Sequence, residues 1–356
     1  MTLVDQAAAI RSGEELDVAA LAPYLTDHLG GDSGETLTVL QFPSGYSNLT
    51  YMLQLGGRKL VLRRPPFGTK AKTAHDMGRE VRVLRALHPV FPYCPKPLLY
   101  CEDQAILGCD FYVMEYLPGL IVRRGYPAGF SPGPEQVRQQ FETLIDVLAE
   151  LHMLDYTAAG LADLGKPAGY AERQVVGWGK RYERAHTDDA PGFGATMRWL
   201  ADNLPAESGR ASLIHNDFKM DNVVWDADEP MRLIGVLDWE MATLGDPLMD
   251  LGGTLGYWVE AGDPDFLRAA QLMPSDLPGA PTRTEAVERY CRRTGFSVDA
   301  LDFYHCFGLF RLAVIAQQIY YRYYHGQTAD RRFGELIKWV HALDQMCSAI
   351  ISRSTI

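Results

Sequence analysis

Hydrophobic and polar positions alternate from residue 36 to 64. LTVLQF leads to PSGYSN, then TYMLQL, the pair Gly56-Gly57 and RKLVLRR. A Gly-Gly pair between two alternating runs predicts a β-hairpin. The period then changes: in AHDMGREVRVLRALH, Met77, Val81, Leu84 and Leu87 recur at helical spacing. Two further strand-like runs, around LLYCED and CDFYVMEYL, end at Pro118-Gly119. Residues 1–117 therefore read as a small, mostly antiparallel lobe with one helix, closed by a Pro-Gly break.

Beyond the break the pattern is helical. PEQVRQQFETLIDVLAELHML puts Val137, Phe141, Leu144, Ile145, Leu148 and Leu151 on one face, with Pro134 near its start. ERQVVGWGKRYERA predicts a helix inside a Gly- and Pro-containing region over 155–205, and NVVW and RLIGVLD predict two short strands. From Asp246 onward the chain reads as mainly helical, with FYHCFGLFRLAVIAQQIYYRYYHG and FGELIKWVHALDQMCSAII as long periodic runs. The expected class is α+β, with domains at 1–117 and 118–356. A length of 356 residues suits two lobes better than one core.

Composition narrows the function. A formal charge of −11 argues against a broad nucleic-acid footprint, which needs clustered Lys and Arg. It leaves room for a local basic pocket. The N-terminus lacks a basic start followed by an apolar core, and VLAELHML and FRLAVIAQQI are broken by polar residues. A cytoplasmic protein without a membrane partner is expected. Cysteines 94, 101, 109, 291, 306 and 347 form no CxxC pair or metal-ligand spacing, so they read as reduced thiols.

Within LIHNDFKMDNVVWD, residues 213–226, the eight positions 215–222 crowd a His, two Asp, a Lys and two Asn between apolar runs. Asp238 ends the next apolar run. If NVVW and RLIGVL pair across DADEP, Asp238 returns to Asn222. One carboxylate and one amide oxygen there suit a hard cation such as Mg²⁺, which shares its remaining positions with phosphates. Asp217 is left over to accept a proton.

His215, Asp217, Lys219, Asn222 and Asp238 resemble the H-x-D-x-x-x-x-N…D constellation of kinase-like phosphotransferases. By that resemblance Asp217 orients and deprotonates the acceptor hydroxyl, while Asn222 and Asp238 hold metal. Lys219 stands near the transferred phosphate, and His215 braces the loop. The resemblance extends to the N-terminal half. PSGYSN supplies the phosphate loop, with Ser44, Gly45, Ser47 and Asn48 approaching the phosphates. The backbones of Glu115 and Leu117 meet adenine with Met114 behind, and Glu80 pairs with the strand cation. That cation is Arg63 where Lys is usual. Strand alternation puts Val61 on the same face, under adenine, whereas Lys59 lies roughly 13 Å back at ~3.3 Å per residue.

HND replaces HRD, Trp239-Glu240 follows the metal Asp, and GDPLMDLG begins within eight residues of Asp238. No room remains for an activation segment, so a small hydroxylated acceptor is expected. D-W-E followed by G-D-P-x-x-D-L resembles the aminoglycoside phosphotransferase and choline kinase group, with Asp250 as a brace for the loop. VLRRPP, HNDFKMDN and DWEMATLGDPLMDLG are most similar to the kinase-like domain fused to some acyl-CoA dehydrogenases and its free-standing bacterial relatives. The implied fold is two-lobed and protein-kinase-like, with ATP and Mg²⁺ as cofactors. Arg173, Lys180, Arg181 and Arg184 read either as a solvated helix face or as the mark of an anionic acceptor, such as a hydroxy acid or hydroxyacyl-CoA. Tyr320, Tyr321, Tyr323 and Tyr324 read as packing residues. An aminoglycoside-type phosphotransferase, a nucleotide-binding pseudokinase disabled at Arg63 and a metal-assisted hydrolase are the alternatives.

Overall fold

A computed structural model describes residues 4–31, 34–43, 48–67, 76–206, 209–270, 272–328 and 330–356. Helix α1 (Val18–Leu29) precedes strands β1 (Leu37–Gln41), β2 (Leu49–Leu55) and β3 (Arg58–Arg64). Helix α2 (Met77–Leu87), strand β4 (Pro97–Cys101), the single turn α3 (Gln104–Leu107) and β5 (Phe111–Glu115) follow. These strands form one antiparallel sheet in the order β1-β2-β3-β5-β4. The short β6 (Gly119–Leu120) leads to α4 (Pro134–Met153), α5 (Tyr170–Ala185) and α6 (Gly194–Asp202). Next come β7 (Ser212–Ile214), β8 (Val223–Asp226), β9 (Leu233–Val236) and β10 (Thr243–Gly245). The rest is helical: α7 (Pro247–Tyr257), α8 (Asp265–Ala270), α9 (Arg283–Thr294), α10 (Leu301–Tyr324) and α11 (Leu336–Arg353).

Two compact units result. The first comprises Met1–Ile121, Ala158–Leu161 and Asn222–Ala242, and so holds the five-stranded sheet and a second sheet of order β6-β8-β9. Its core is built by alternation. Tyr51, Leu53 and Leu55 of β2 are buried with Leu60 and Leu62 of β3, Phe111 and Val113 of β5, and Leu21 and Leu25 of α1. Patterning does not assign α1, whose interior carries Pro23. Asp76 caps α2 by accepting from Arg79 N, and α2 packs against β4 and β5 with Glu80 buried.

The second unit comprises Val122–Thr157, Ala162–Asp221 and Thr243–Ile356. β7 and β10 pair within it, and α10 packs against α7, α11 and α5. α7 and α10 approach through glycine. A Cβ at Gly308 would overlap the Gly252 carbonyl, and a Cβ at Gly252 would overlap that of Tyr304. The approach matters because α7 and α10 each carry a side chain that holds the loop after β7. All six cysteines are free thiols, and among the described residues no helix is long and apolar enough to cross a membrane.

Candidate active site

In the second unit, β7 ends at Ile214 and the next residues are tied to Asp250 in the first turn of α7. Asp250 Oδ2 accepts the His215 amide at 2.7 Å and Oδ1 accepts the Asn216 amide at 2.8 Å. His152 Nε2 lies 3.1 Å from the same carboxylate and its Nδ1 lies 2.7 Å from the Tyr290 hydroxyl. Burial alone would raise the Asp250 carboxyl, but His152 and the bonds from the loop hold it below its ordinary value. A buried carboxylate is sustained only when its lone pairs are filled in this way.

These bonds fix an unusual backbone. Asn216 has φ +66°, a left-handed conformation that Asn tolerates better than most residues. Its carbonyl accepts from Arg311 of α10, and its Oδ1 accepts from the Tyr170 hydroxyl at 3.0 Å. The turn delivers Asp217. The Asp217 amide donates to His215 Nδ1 at 3.2 Å, so that nitrogen is an acceptor and His215 is a brace within the loop.

Both oxygens of Asp217 are engaged. Tyr257 donates to Oδ1 at 3.0 Å and Lys219 Nζ lies 3.1 Å from Oδ2. Lys219 is also 3.6 Å from Asp221 Oδ1 and 4.6 Å from the centre of the Tyr257 ring. Burial would raise the Asp217 carboxyl; Lys219, then Arg311 and His215, outweigh it and keep the group below its ordinary value. A carboxylate held ionised beside a cation can orient a hydroxyl and take its proton late, as charge develops.

The first unit holds the other expected residues. β8 and β9 pair with Val223 opposite Val236, and Leu237 N donates to Asn222 O at 2.8 Å. The hairpin thus returns the chain beside Asn222 one residue before Asp238. Asp238 itself has φ +68°, a conformation costly for a non-glycine residue. Arg63 joins it to α2: Nη2 is 2.8 Å from Asp238 Oδ1 and Nη1 is 3.0 Å from Glu80 Oε1. Burial raises the Glu80 carboxyl above its ordinary value although Arg63 pulls the other way.

Strand register pairs Val61 with Met114 and Arg63 with Tyr112. Cross-strand partners are side-chain neighbours, so Val61 and Met114 line one patch and Arg63 lies next along the sheet. Glu115 N donates to Lys96 O at 2.9 Å, whereas Leu117 N–H has no hydrogen-bond partner among the described residues. Lys59 is exposed, 5.7 Å from the Tyr116 ring. Asn48 Nδ2 donates to Glu240 Oε2 at 2.8 Å, tying the end of the PSGYSN segment to the D-W-E turn. Ser44, Gly45 and Ser47 lie outside the described residues.

Sequence reasoning misses Tyr257, Tyr170, Tyr112, Arg311, Asn216 and His152. One signal was available for Tyr257: it follows Asp250 by seven residues, two helical turns on one face. The others are brought in by tertiary structure. The late tyrosines pack on one another, with Tyr320 6.4 Å from Tyr323 and 5.9 Å from Tyr324, and Tyr320 donates to Asp189 Oδ2 at 2.5 Å.

The phosphotransferase enzyme family is matched over residues 38–285, a span that includes the site residues of each unit except Tyr290 and Arg311. The chain belongs to that family. It is 38% identical to acyl-CoA dehydrogenase family member 11 of Rattus norvegicus over 322 residues, which cover 89% of this chain and 41% of that protein. The chain therefore spans about two fifths of this relative's length. Thiamine kinase of Escherichia coli is 27% identical over 252 residues, covering 67% of this chain and 74% of the enzyme. Among solved structures, a Ralstonia eutropha protein assigned as an aminoglycoside phosphotransferase superposes with a TM-score of 0.80 at 30% identity, covering 96% of this chain and 100% of that one. The expected α+β, protein-kinase-like fold is the one found.

Proposed function

We propose that this chain is a Mg²⁺-dependent kinase that transfers the γ-phosphoryl group of ATP to a hydroxyl of a small metabolite. The observation that carries the reading is Asp217, held ionised with Lys219 on one oxygen and Tyr257 on the other. In the reaction the acceptor hydroxyl gives its proton to Asp217 as its oxygen bonds to the γ-phosphorus, and the bond to the bridging oxygen breaks to release ADP. Lys219 offsets charge near the transferred group, and His215 keeps the loop in place.

Asn222 and Asp238 would hold the metal. The donor set fits: two hard oxygen ligands at the end of one hairpin, with no cluster of three His, Cys, Asp or Glu among the described residues to form a closed cage. Mg²⁺ would suit so sparse a set because phosphate oxygens and waters would supply its remaining ligands. When bound, it neutralises phosphate charge. Arg63, anchored by Glu80, would take phosphate oxygens. The Val61–Met114 patch, the Glu115 backbone and the Leu117 N–H would receive adenine, and Asn48 would approach the phosphates. Such chemistry belongs in the cytoplasm, where ATP is abundant, and needs no membrane or nucleic-acid partner.

For the acceptor, a hydroxy acid or hydroxyacyl-CoA is favoured over an aminoglycoside. The relatives' association with acyl-CoA dehydrogenases supports this, as do the cations of α5. The test is incubation with γ-labelled ATP, Mg²⁺ and a library of hydroxy acids, hydroxyacyl-CoAs and aminoglycosides. Label should appear in one acceptor class and be lost in Asp217→Asn, which lowers turnover by about 10²–10⁴. Free phosphate released without any acceptor would instead mark a hydrolase. A second reading, nucleotide binding without turnover, is favoured by the contact of Arg63 with Asp238, the carboxylate assigned to metal. It predicts stabilisation by Mg-ATP with no labelled product.

A further inference from the structure

The kinase reading leaves the acceptor's chemistry to be found, and one cluster beside the catalytic loop bears on it. Trp178 of α5 has two guanidinium groups near its ring. The Arg181 carbon lies 4.5 Å from the ring centre and that of Arg311, from α10, lies 5.3 Å away. Gln174 Oε1 accepts the indole N–H at 3.1 Å, which fixes the ring. Arg311 is buried and is committed to the loop through the Asn216 carbonyl, one residue before Asp217.

Arg181 is set apart from the other cations of α5 by its contact with the Trp178 ring. Arg173 of the same helix is spent on the carbonyls of Ala168 and Lys166. Arg181 is partly covered but still reaches solvent, and among the described residues no carboxylate lies within ion-pair distance of it. Burial first, then Arg311 and Arg184, work against its charge. Two like charges on one ring repel, and an anion placed against them relieves the repulsion while gaining charge-assisted hydrogen bonds. Arg stacked on an indole keeps its planar fork free for such a ligand.

We propose that Arg181, stacked on Trp178 and backed by Arg311, binds an anionic group of the acceptor, a carboxylate or a phosphate, while the acceptor's hydroxyl is presented to Asp217. The inference rests on the kinase reading for the role of Asp217 but is tested by binding alone. Titrations with AMP-PNP and Mg²⁺ present would compare 3-hydroxybutyrate, 3-hydroxybutyryl-CoA, butane-1,3-diol and an aminoglycoside. At least one anion should bind about tenfold or more tightly than the diol. Preference for the free acid assigns a carboxylate, and preference for the thioester assigns the CoA phosphates. Arg181→Gln should abolish most of that ratio while the affinity for AMP-PNP and the melting temperature stay unchanged, and Arg181→Lys should restore part of it. The proposal is overturned if no anion binds, if the diol or the aminoglycoside binds as well as the anions, or if Arg181→Gln leaves the ratio intact. Anion binding through Arg181 without any transfer of label from ATP would uphold it and sink the kinase reading instead.

Discussion

Tyr257 donates its hydroxyl hydrogen to Asp217 Oδ1 at 3.0 Å. It does so from the last turn of α7, the helix whose first turn carries Asp250, so one helix both braces the loop and orients its carboxylate. A hydrogen bond to a charged group contributes roughly 1.5–3 kcal/mol. Tyr257→Phe should therefore lower kcat by about ten- to a hundredfold, with KM for ATP unchanged because the ring touches Asp217 and Lys219 alone among the groups assigned to chemistry. Steady-state kinetics in both substrates check this. An unaltered kcat would remove Tyr257 from the mechanism.

Lys219 is the strongest influence keeping the Asp217 carboxyl below its ordinary 3.8 against burial. The depressed group stays ionised on the way down in pH, so activity that depends on it is full at neutrality and is lost only below the usual aspartate range. Lys219→Met removes that influence and leaves burial to act. The acid limb of kcat should then move to higher pH, in addition to any fall in its plateau. Rate profiles from pH 4 to 8 for both proteins distinguish the two effects. Coincident acid limbs would mean that Lys219 does not set the ionisation of Asp217.

Much of this arrangement is legible in the chain because its chemistry is local. His215, Asp217, Lys219 and Asn222 lie in one loop, and the return of Asp238 follows from two short apolar runs across DADEP. Val61 and Arg63 share a face by simple alternation, and their partners Met114 and Tyr112 come from register. What escapes is non-local. Arg311 lies far along the chain, in a helix whose pattern announces only burial, and nothing in it points to the Asn216 carbonyl. His152 looks like one more residue of an amphipathic helix until Asp250 and Tyr290 meet it. The left-handed backbone at Asn216 and Asp238 is equally silent, since neither is glycine.

Arg63 spans two carboxylates from a buried position, its side chain 8% exposed and that of Glu80 1%. Removing one partner of a buried ion pair leaves the other uncompensated, at a cost of about 3–5 kcal/mol. Arg63→Ala should destabilise the protein by that order, whereas Arg63→Lys should keep most of the stability. An ammonium cannot hold Glu80 and Asp238 with one planar fork, so the Lys variant should still change the affinity for Mg-ATP. Urea unfolding and nucleotide titration measure both. An Arg63→Ala protein with the wild-type midpoint would show the pair to be energetically idle.

Gly308 lets α10 approach α7, and the Cβ of alanine there would run into the Gly252 carbonyl. Backbone cannot swing aside as a side chain can, so the helices must separate. Overpacking of this kind costs about 1–3 kcal/mol. Gly308→Ala should lower the melting temperature and, by withdrawing Arg311 from Asn216, reduce kcat as well. Gly262, whose Cβ would meet nothing within 4 Å, is the control. Equal melting temperatures for the two alanine variants would show that the close approach is not needed.

His305 sets a pH dependence unrelated to catalysis. It is buried in α10 with Nε2 unpaired among the described residues. Burial, then the charges of Arg283 and Arg353, push its imidazole down to about 3 from 6.5. The unfolded chain therefore binds a proton between those values that the folded chain refuses. Stability is unaffected by this group above 6.5 and falls as pH drops from there toward 3. By linkage the loss from this residue between pH 8 and pH 5 is about 2 kcal/mol. His305→Met keeps the position buried and removes the titration. Urea midpoints at the two pH values should show the acid-induced loss reduced by about that amount in the variant. If both proteins lose stability equally on acidification, His305 is not held neutral in the native state.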